Sequence, residues 1–112
     1  MNHEELKKEN IKELTELNQT LPTTEEFEEY SEKLKALSDP TRLKIIYLLG
    51  NGLKCTCAIQ EVLQKPQSNI SHHLKILKNA GFITSEKEGI WVYHECNPKI
   101  LKLVDALIKE IK

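Results

Sequence analysis

Between residues 56 and 80 two short apolar-periodic stretches flank a four-residue turn, QKPQ at 64–67, and this spacing restricts the possible folds more than any other feature. Ile59, Val62 and Leu63 recur at helical spacing in the first stretch. Ile70, Leu74, Leu77 and Ala80 do so in the second, with Ser68 as the expected cap and Gly81 as the stop. Two short helices held across so tight a turn form the helix-turn-helix pattern. The segment that follows, FITSEKEGIWVYHE at 82–95, changes to strand-like composition and reads as a hairpin turning at Lys87-Glu88-Gly89.

The surrounding chain is expected to be helical. Residues 4–18 contain no Gly or Pro but carry only a thin apolar stripe, Leu6, Ile11, Leu14 and Leu17, so this helix needs a partner. A Thr-capped break at 20–26 leads into a helix to about residue 36, with the apolar series Phe27, Tyr30, Leu34 and Leu37. Ser38 or Asp39 caps the next helix, which has Pro40 in its first turn, Leu43, Ile46 and Leu49 facing inward, and Gly50-Asn51-Gly52 at its end. The last helix, Pro98 to about Ile111, carries Ile100, Leu101, Val104, Leu107, Ile108 and Ile111. That face is too broad for a monomer of 112 residues to cover and is read as a dimer seam.

The net charge of −1 hides an asymmetry: residues 1–32 hold ten acids against three lysines, whereas residues 33–112 hold thirteen bases against seven acids. A basic body can meet a polyanion through one face. The second helix of the motif has such a face, because removing its apolar positions leaves Gln67, Ser68, Asn69, Ser71, His72, His73, Lys75, Lys78 and Asn79. Gln and Asn pair with adenine edges, hydroxyls meet bases or phosphates, and lysines neutralise backbone charge. The plain alternative is an ordinary solvated helix face.

Three cysteines cannot all pair within one chain, and free thiols are expected rather than a disulfide framework. No run approaches the roughly 20 apolar residues of a membrane span, and MNHEELKKEN lacks the apolar block of a signal peptide. A cytoplasmic protein with no membrane partner is expected. No nucleophile–base–orienter set or phosphate loop points to an enzyme.

ALSDPTRLKIIYLL, CTC, QSNISHHLKILKNAGFI and GIWVYHE, in this order and spacing, resemble the ArsR/SmtB family of winged-helix repressors over roughly residues 27–111. The expected fold class is then mainly α with a small β-hairpin wing, a homodimeric winged helix-turn-helix. Residues 1–22 form an acidic N-terminal helix at a dimer contact, and residues 23–112 form the DNA-binding domain with its C-terminal dimerisation helix. The resemblance implies a homodimer that holds double-stranded operator DNA, needs no cofactor to do so, and lets go when an effector binds. It puts Gln67, Ser68, Ser71 and His72 at the major groove and His73 near the backbone, and makes Arg42 a phosphate contact or a structural brace; Asn69 and Lys75 are counted with them as DNA-binding residues. Ile90 stands where a basic wing residue is common, so the wing's grip falls to Lys87.

By the same resemblance Cys55 and Cys57 match a Cys-x-Cys element that supplies metal ligands. Soft thiolates select arsenite or antimonite first, then cadmium, lead or copper(I), and a helix N-terminus favours the thiolate. Residues two apart in a regular helix point about 200° apart, so both sulfurs reach one ion only if the first turn is distorted. The third cysteine common in arsenite sensors is here Gln60, the last helix has Asp105 but no histidine, and the N-terminal segment offers only His3. Cys96 is the candidate third ligand or redox partner, if pairing of Leu53-Lys54-Cys55 with the second wing strand brings it near, and otherwise a core-lining cysteine at a strand end; His94 is expected on the strand surface. Two other readings stay open, a repressor whose thiols sense oxidants or sulfur species, and a winged-helix interaction module with structural cysteines.

Overall fold

The computed structural model describes residues 11–112, in two compact units that divide after Ser31. Helix α1, Ile11–Thr20, and most of α2, Thr24–Lys35, belong to the first unit. The expected helix at 4–18 is thus seen from residue 11 and runs two residues further than read; its earlier part, with Leu6, and His3 lie outside the described residues. A reciprocal capping box starts α2: the Glu26 N–H donates to Thr23 Oγ1 at 3.1 Å, and the Thr23 N–H to Glu26 Oε1 at 3.2 Å.

In the second unit α3, Pro40–Gly50, begins where the Asp39 carboxylate accepts from the Arg42 N–H at 3.0 Å, with Pro40 in the first turn. Helices α4, Thr56–Leu63, and α5, Gln67–Asn79, form the helix-turn-helix. Ser68 is not the cap of α5. Pro66 is, because its extended backbone aims its carbonyl at the N–H groups of Asn69 and Ile70, both at 3.1 Å. Val62, expected on the apolar face of α4, is exposed, and Ile59 and Leu63 do the packing.

Strands β1, Ile83–Glu88, and β2, Trp91–Cys96, pair antiparallel from Ile83 opposite Cys96 to Glu88 opposite Trp91. The turn is therefore Gly89-Ile90, not Lys87-Glu88-Gly89. A two-residue hairpin loop needs positive φ at its first position, which Gly89 supplies at 61°, and Lys87 and Glu88 stay in the strand. The segment before α4 lies along β2 as expected: Cys55 bridges to Tyr93, the His94 N–H donates to the Lys54 carbonyl at 2.9 Å, and Lys54 pairs with Glu95 at 2.9 Å.

Ile45, Ile46, Leu49, Ile59, Ile70, Leu74, Leu77, Ile83, Cys96 and Val104 form one core, so both helices of the motif and the wing are anchored to the same interior. Helix α6, Pro98–Ile111, packs on α3 at Gly50, where an added Cβ would come within 2.8 Å of the Leu101 Cβ. The Tyr47 hydroxyl donates to Asp105 at 2.8 Å beside this contact. The apolar face of α6 divides. Val104 is buried and Ile100, Leu101 and Ile108 pack on the core, whereas Leu103, Leu107 and Ile111 are 68%, 60% and 75% exposed.

Candidate nucleic-acid interface and thiol site

The core contacts of α5 fix which way its polar side chains look. Ile70, Leu74 and Leu77 point inward, which leaves Gln67, Ser68, Ser71, His72 and Lys75 exposed along the outer face. Asn69 is half-buried, with a buried Oδ1 that has no hydrogen-bond partner. Lys87 is exposed on the wing, and Ile90 at its tip is 85% exposed.

His73 and Arg42 lie elsewhere. The Arg42 guanidinium donates from Nε to the Ala36 carbonyl at 2.6 Å and from a terminal nitrogen to His73 Nδ1 at 3.1 Å, bracing the start of α3 against α5. Of the two roles the resemblance left to Arg42, this geometry serves the brace. The His73 ring accepts from Arg42 and so carries its proton on Nε2. Burial holds its pKa below the ordinary value, with Asp39 pulling the other way and Arg42 adding to the depression; the ring is neutral at pH 7, and its 3.9 Å approach to Asp39 is not an ion pair.

His94 is not a surface residue; it is 6% exposed. Its Nδ1 meets Ser85 Oγ at 2.8 Å and its Nε2 meets Thr56 Oγ1 at 2.9 Å, so one ring joins both wing strands to the first turn of α4. No local pattern marks this, since Thr56 and Ser85 lie 38 and nine residues away. The ring backs a cavity of about 320 Å³ between α5 and the wing, lined also by Gln67, Ser71, Lys75 and Lys78.

Burial, with Lys78 adding, keeps the His94 pKa below its ordinary 6.5, as burial does for His73. Unfolding returns both rings to about their ordinary pKa, so the unfolded chain binds more protons and stability falls as pH drops below about 6.5. The depressed carboxylates, Glu26, Asp39 and Asp105, act only near and below their ordinary values, 4.5 for Glu26 and 3.8 for the two aspartates. A lower denaturation midpoint at about pH 5.5 than at about pH 7.5, with a smaller difference in His94→Gln, is the expected result; equal midpoints would refute it.

Cys55 is the N-cap of α4 with an extended backbone, φ −89° and ψ 135°, and Cys57 lies in the first turn. Because Cys55 is not helical, the opposed directions of a regular helix do not apply, and the two sulfurs meet in a disulfide, with Cα atoms 5.4 Å apart. Free thiols were expected here. The bond spans a single residue and so constrains the unfolded chain far less than a framework disulfide does. A cavity of about 250 Å³ beside the pair is lined by Thr56, Gln60, Gln67 and the wing residues Ile90, Trp91 and Val92.

Cys96 does not join the pair. It lies opposite Ile83 in the core, whereas Cys55 lies opposite Tyr93, three positions away along β2 or about 10 Å at strand spacing. Burial pushes its thiol pKa up. Among the described residues no three His, Cys, Asp or Glu side chains gather as a metal site. Asp105 is engaged by Tyr47 and by Lys109 at 2.8 Å.

A family model described as "Bacterial regulatory protein, arsR family" matches residues 39–85, from the cap of α3 into β1. Over 88 residues the chain is 48% identical to a protein of Methanocaldococcus jannaschii named an uncharacterized HTH-type transcriptional regulator, covering 74% of this chain and 99% of that one. It is 45% identical over 69 residues to the arsenical resistance operon repressor of Bacillus subtilis, 61% of this chain and 66% of the relative. The homodimeric winged helix-turn-helix DNA-binding domain of a possible ArsR-family regulator from Mycobacterium bovis superposes with a TM-score of 0.66 at 25% identity, over 76% of this chain and 79% of that one. The fold, the family match and these relatives agree, and the chain belongs to the ArsR family of winged helix-turn-helix DNA-binding transcriptional regulators, which are not enzymes.

Proposed function

We propose that the protein is a cytoplasmic, homodimeric repressor that holds operator DNA through α5 and the wing and is released when a soft thiophilic ion, arsenite or antimonite foremost, binds Cys55 and Cys57. One observation carries this reading: the two sulfurs share a cavity with Gln67, the first residue of the DNA-facing helix. An ion that draws both sulfurs together acts on the first turn of α4, and through the Thr56–His94 contact on the wing. Gln67, Ser68, Ser71 and His72 meet bases in the major groove, and Lys75 and Lys87 meet phosphate. The exposed apolar residues of α6 and the N-terminal helix form the dimer contact.

Operator binding by the reduced protein, titrated with arsenite without oxygen, tests the proposal. Cys55→Ser and Cys57→Ser are expected to keep operator affinity and lose release, while Cys96→Ser keeps both. Gln67→Ala is expected to lower discrimination between operator and random DNA by about 1–3 kcal/mol, and Lys75→Ala to weaken both alike. Unchanged binding in both variants would take α5 off the DNA.

The joined sulfurs favour a second reading, in which oxidation of the pair is the signal. Release by peroxide alone, reversed by a reductant and absent with anaerobic arsenite, would select it.

A further inference from the structure

The wing ends in the most exposed large apolar side chain among the described residues: Ile90 is 85% exposed, in a two-residue loop whose other member is Gly89. Strand pairing sorts the charges behind it. Residues directly opposite in the ladder share a face, and faces alternate along each strand. Lys87 opposite Val92 and Ser85 opposite His94 lie on one face, and that face looks onto α5, since Ser85, Val92 and His94 line a cavity with Ser71, Lys75 and Lys78. Glu86 opposite Tyr93 and Glu88 opposite Trp91 lie on the other face. The side continuous with the outward face of α5 is therefore basic, the acids are turned away, and the loop at the end carries no charge.

The tip is also held in register with α5. Ile90 and Gln67 border one cavity, Cys55 bridges to Tyr93, and His94 ties both strands to Thr56. With α5 in the major groove, a hairpin fixed at its side meets the adjoining minor groove. A cationic tip would be drawn there by the negative potential of the groove, which a branched hydrocarbon cannot use. Isoleucine gains only by leaving water, and apolar side chains that do so in this groove part a base step and kink the duplex.

We infer that Ile90 is a wedge that enters the minor groove beside the site read by α5 and partly unstacks one base step. This rests on the reading of α5 and the wing as the surface that holds DNA, and adds how the wing holds it. Unstacking a step costs about what burying one isoleucine returns, so the ease with which the step opens decides the gain. The wing thus selects a flexible pyrimidine–purine step, TA or CA/TG, at a position that α5 does not touch.

The probe is a duplex selected from a randomised pool by the reduced full-length protein, labelled at both ends so that energy transfer reports bending, with a fluorescent adenine analogue at the flanking step to report unstacking. The parent is expected to unstack that step and to bend the duplex by roughly 20–90°. Ile90→Ala should lose both signals and about tenfold in affinity, and Ile90→Leu should keep them. Ile90→Lys should steepen the salt dependence by about one phosphate contact and still fail to bend the DNA. Exchanging the flanking step for AA should weaken the parent and leave Ile90→Ala unchanged. Circular dichroism of each variant should match the parent, because the side chain packs on nothing in the core. Parent-like bending and unstacking by Ile90→Ala overturn the wedge, keep α5 on the DNA, and leave the apolar tip to a protein partner. A parent that selects no duplex overturns this inference and the operator reading together.

Discussion

Replacing Leu107 by glutamate is expected to yield a folded monomer that no longer holds the operator. Leu107 is 60% exposed beside Leu103 and Ile111, while Val104 turns into the core, so the carboxylate sits in water within one protomer and the fold survives. In a dimer formed through α6 the same carboxylate is buried without a partner, at a cost of several kcal/mol per protomer. Separation relieves that cost, and a single reading helix then meets one half-site. Sedimentation should show a monomer with unchanged helix content by circular dichroism, together with loss of the operator shift. A stable Leu107→Glu dimer would remove this helix from the interface.

Leu77→Ala should produce a large loss of stability. Leu77 has no exposed surface and lies in the core with Ile45, Ile46 and Ile59, so removing its methyl groups loses transfer energy and leaves a cavity. The expected cost is about 2–5 kcal/mol. Against a total of roughly 5–15 kcal/mol for a domain of ordinary stability, much of the folded population is at risk on mild warming. Denaturant unfolding should show a lower midpoint with an unchanged slope; a midpoint equal to the parent's would mean that α5 is not seated through this residue.

The helix-turn-helix was legible because it is written locally: two apolar series of period 3.6, a proline in the turn between them, and glycine after the second. The outward face of α5 followed by subtraction. The missed details depend on partners far away in sequence or on one backbone angle. Gly89 alone decides that the hairpin turns one residue later, and Pro66 takes the capping role from Ser68 through its extended backbone. His94 gave no sign of burial, because what covers it comes from Thr56 and Ser85. His73 is on the α5 series by number, yet Arg42, 31 residues earlier, engages it. The pairing of residues 53–55 with β2 was read correctly, but the distance from Cys55 to Cys96 depends on register, which no composition encodes.

Gly50 bears on DNA geometry although it touches none. With no side chain there, Leu101 packs directly on the α3 backbone, and the Tyr47–Asp105 bond closes the same contact from the side. Helix α6 is therefore a stiff arm on the reading unit. In a dimer joined through α6, the two reading helices act as the jaws of a caliper whose setting is fixed at this joint. Each base pair added between half-sites turns one of them by roughly 35° about the DNA axis, and a stiff joint cannot follow. In such a dimer the tolerance for operator spacing is set at residue 50, in the contact between α3 and α6.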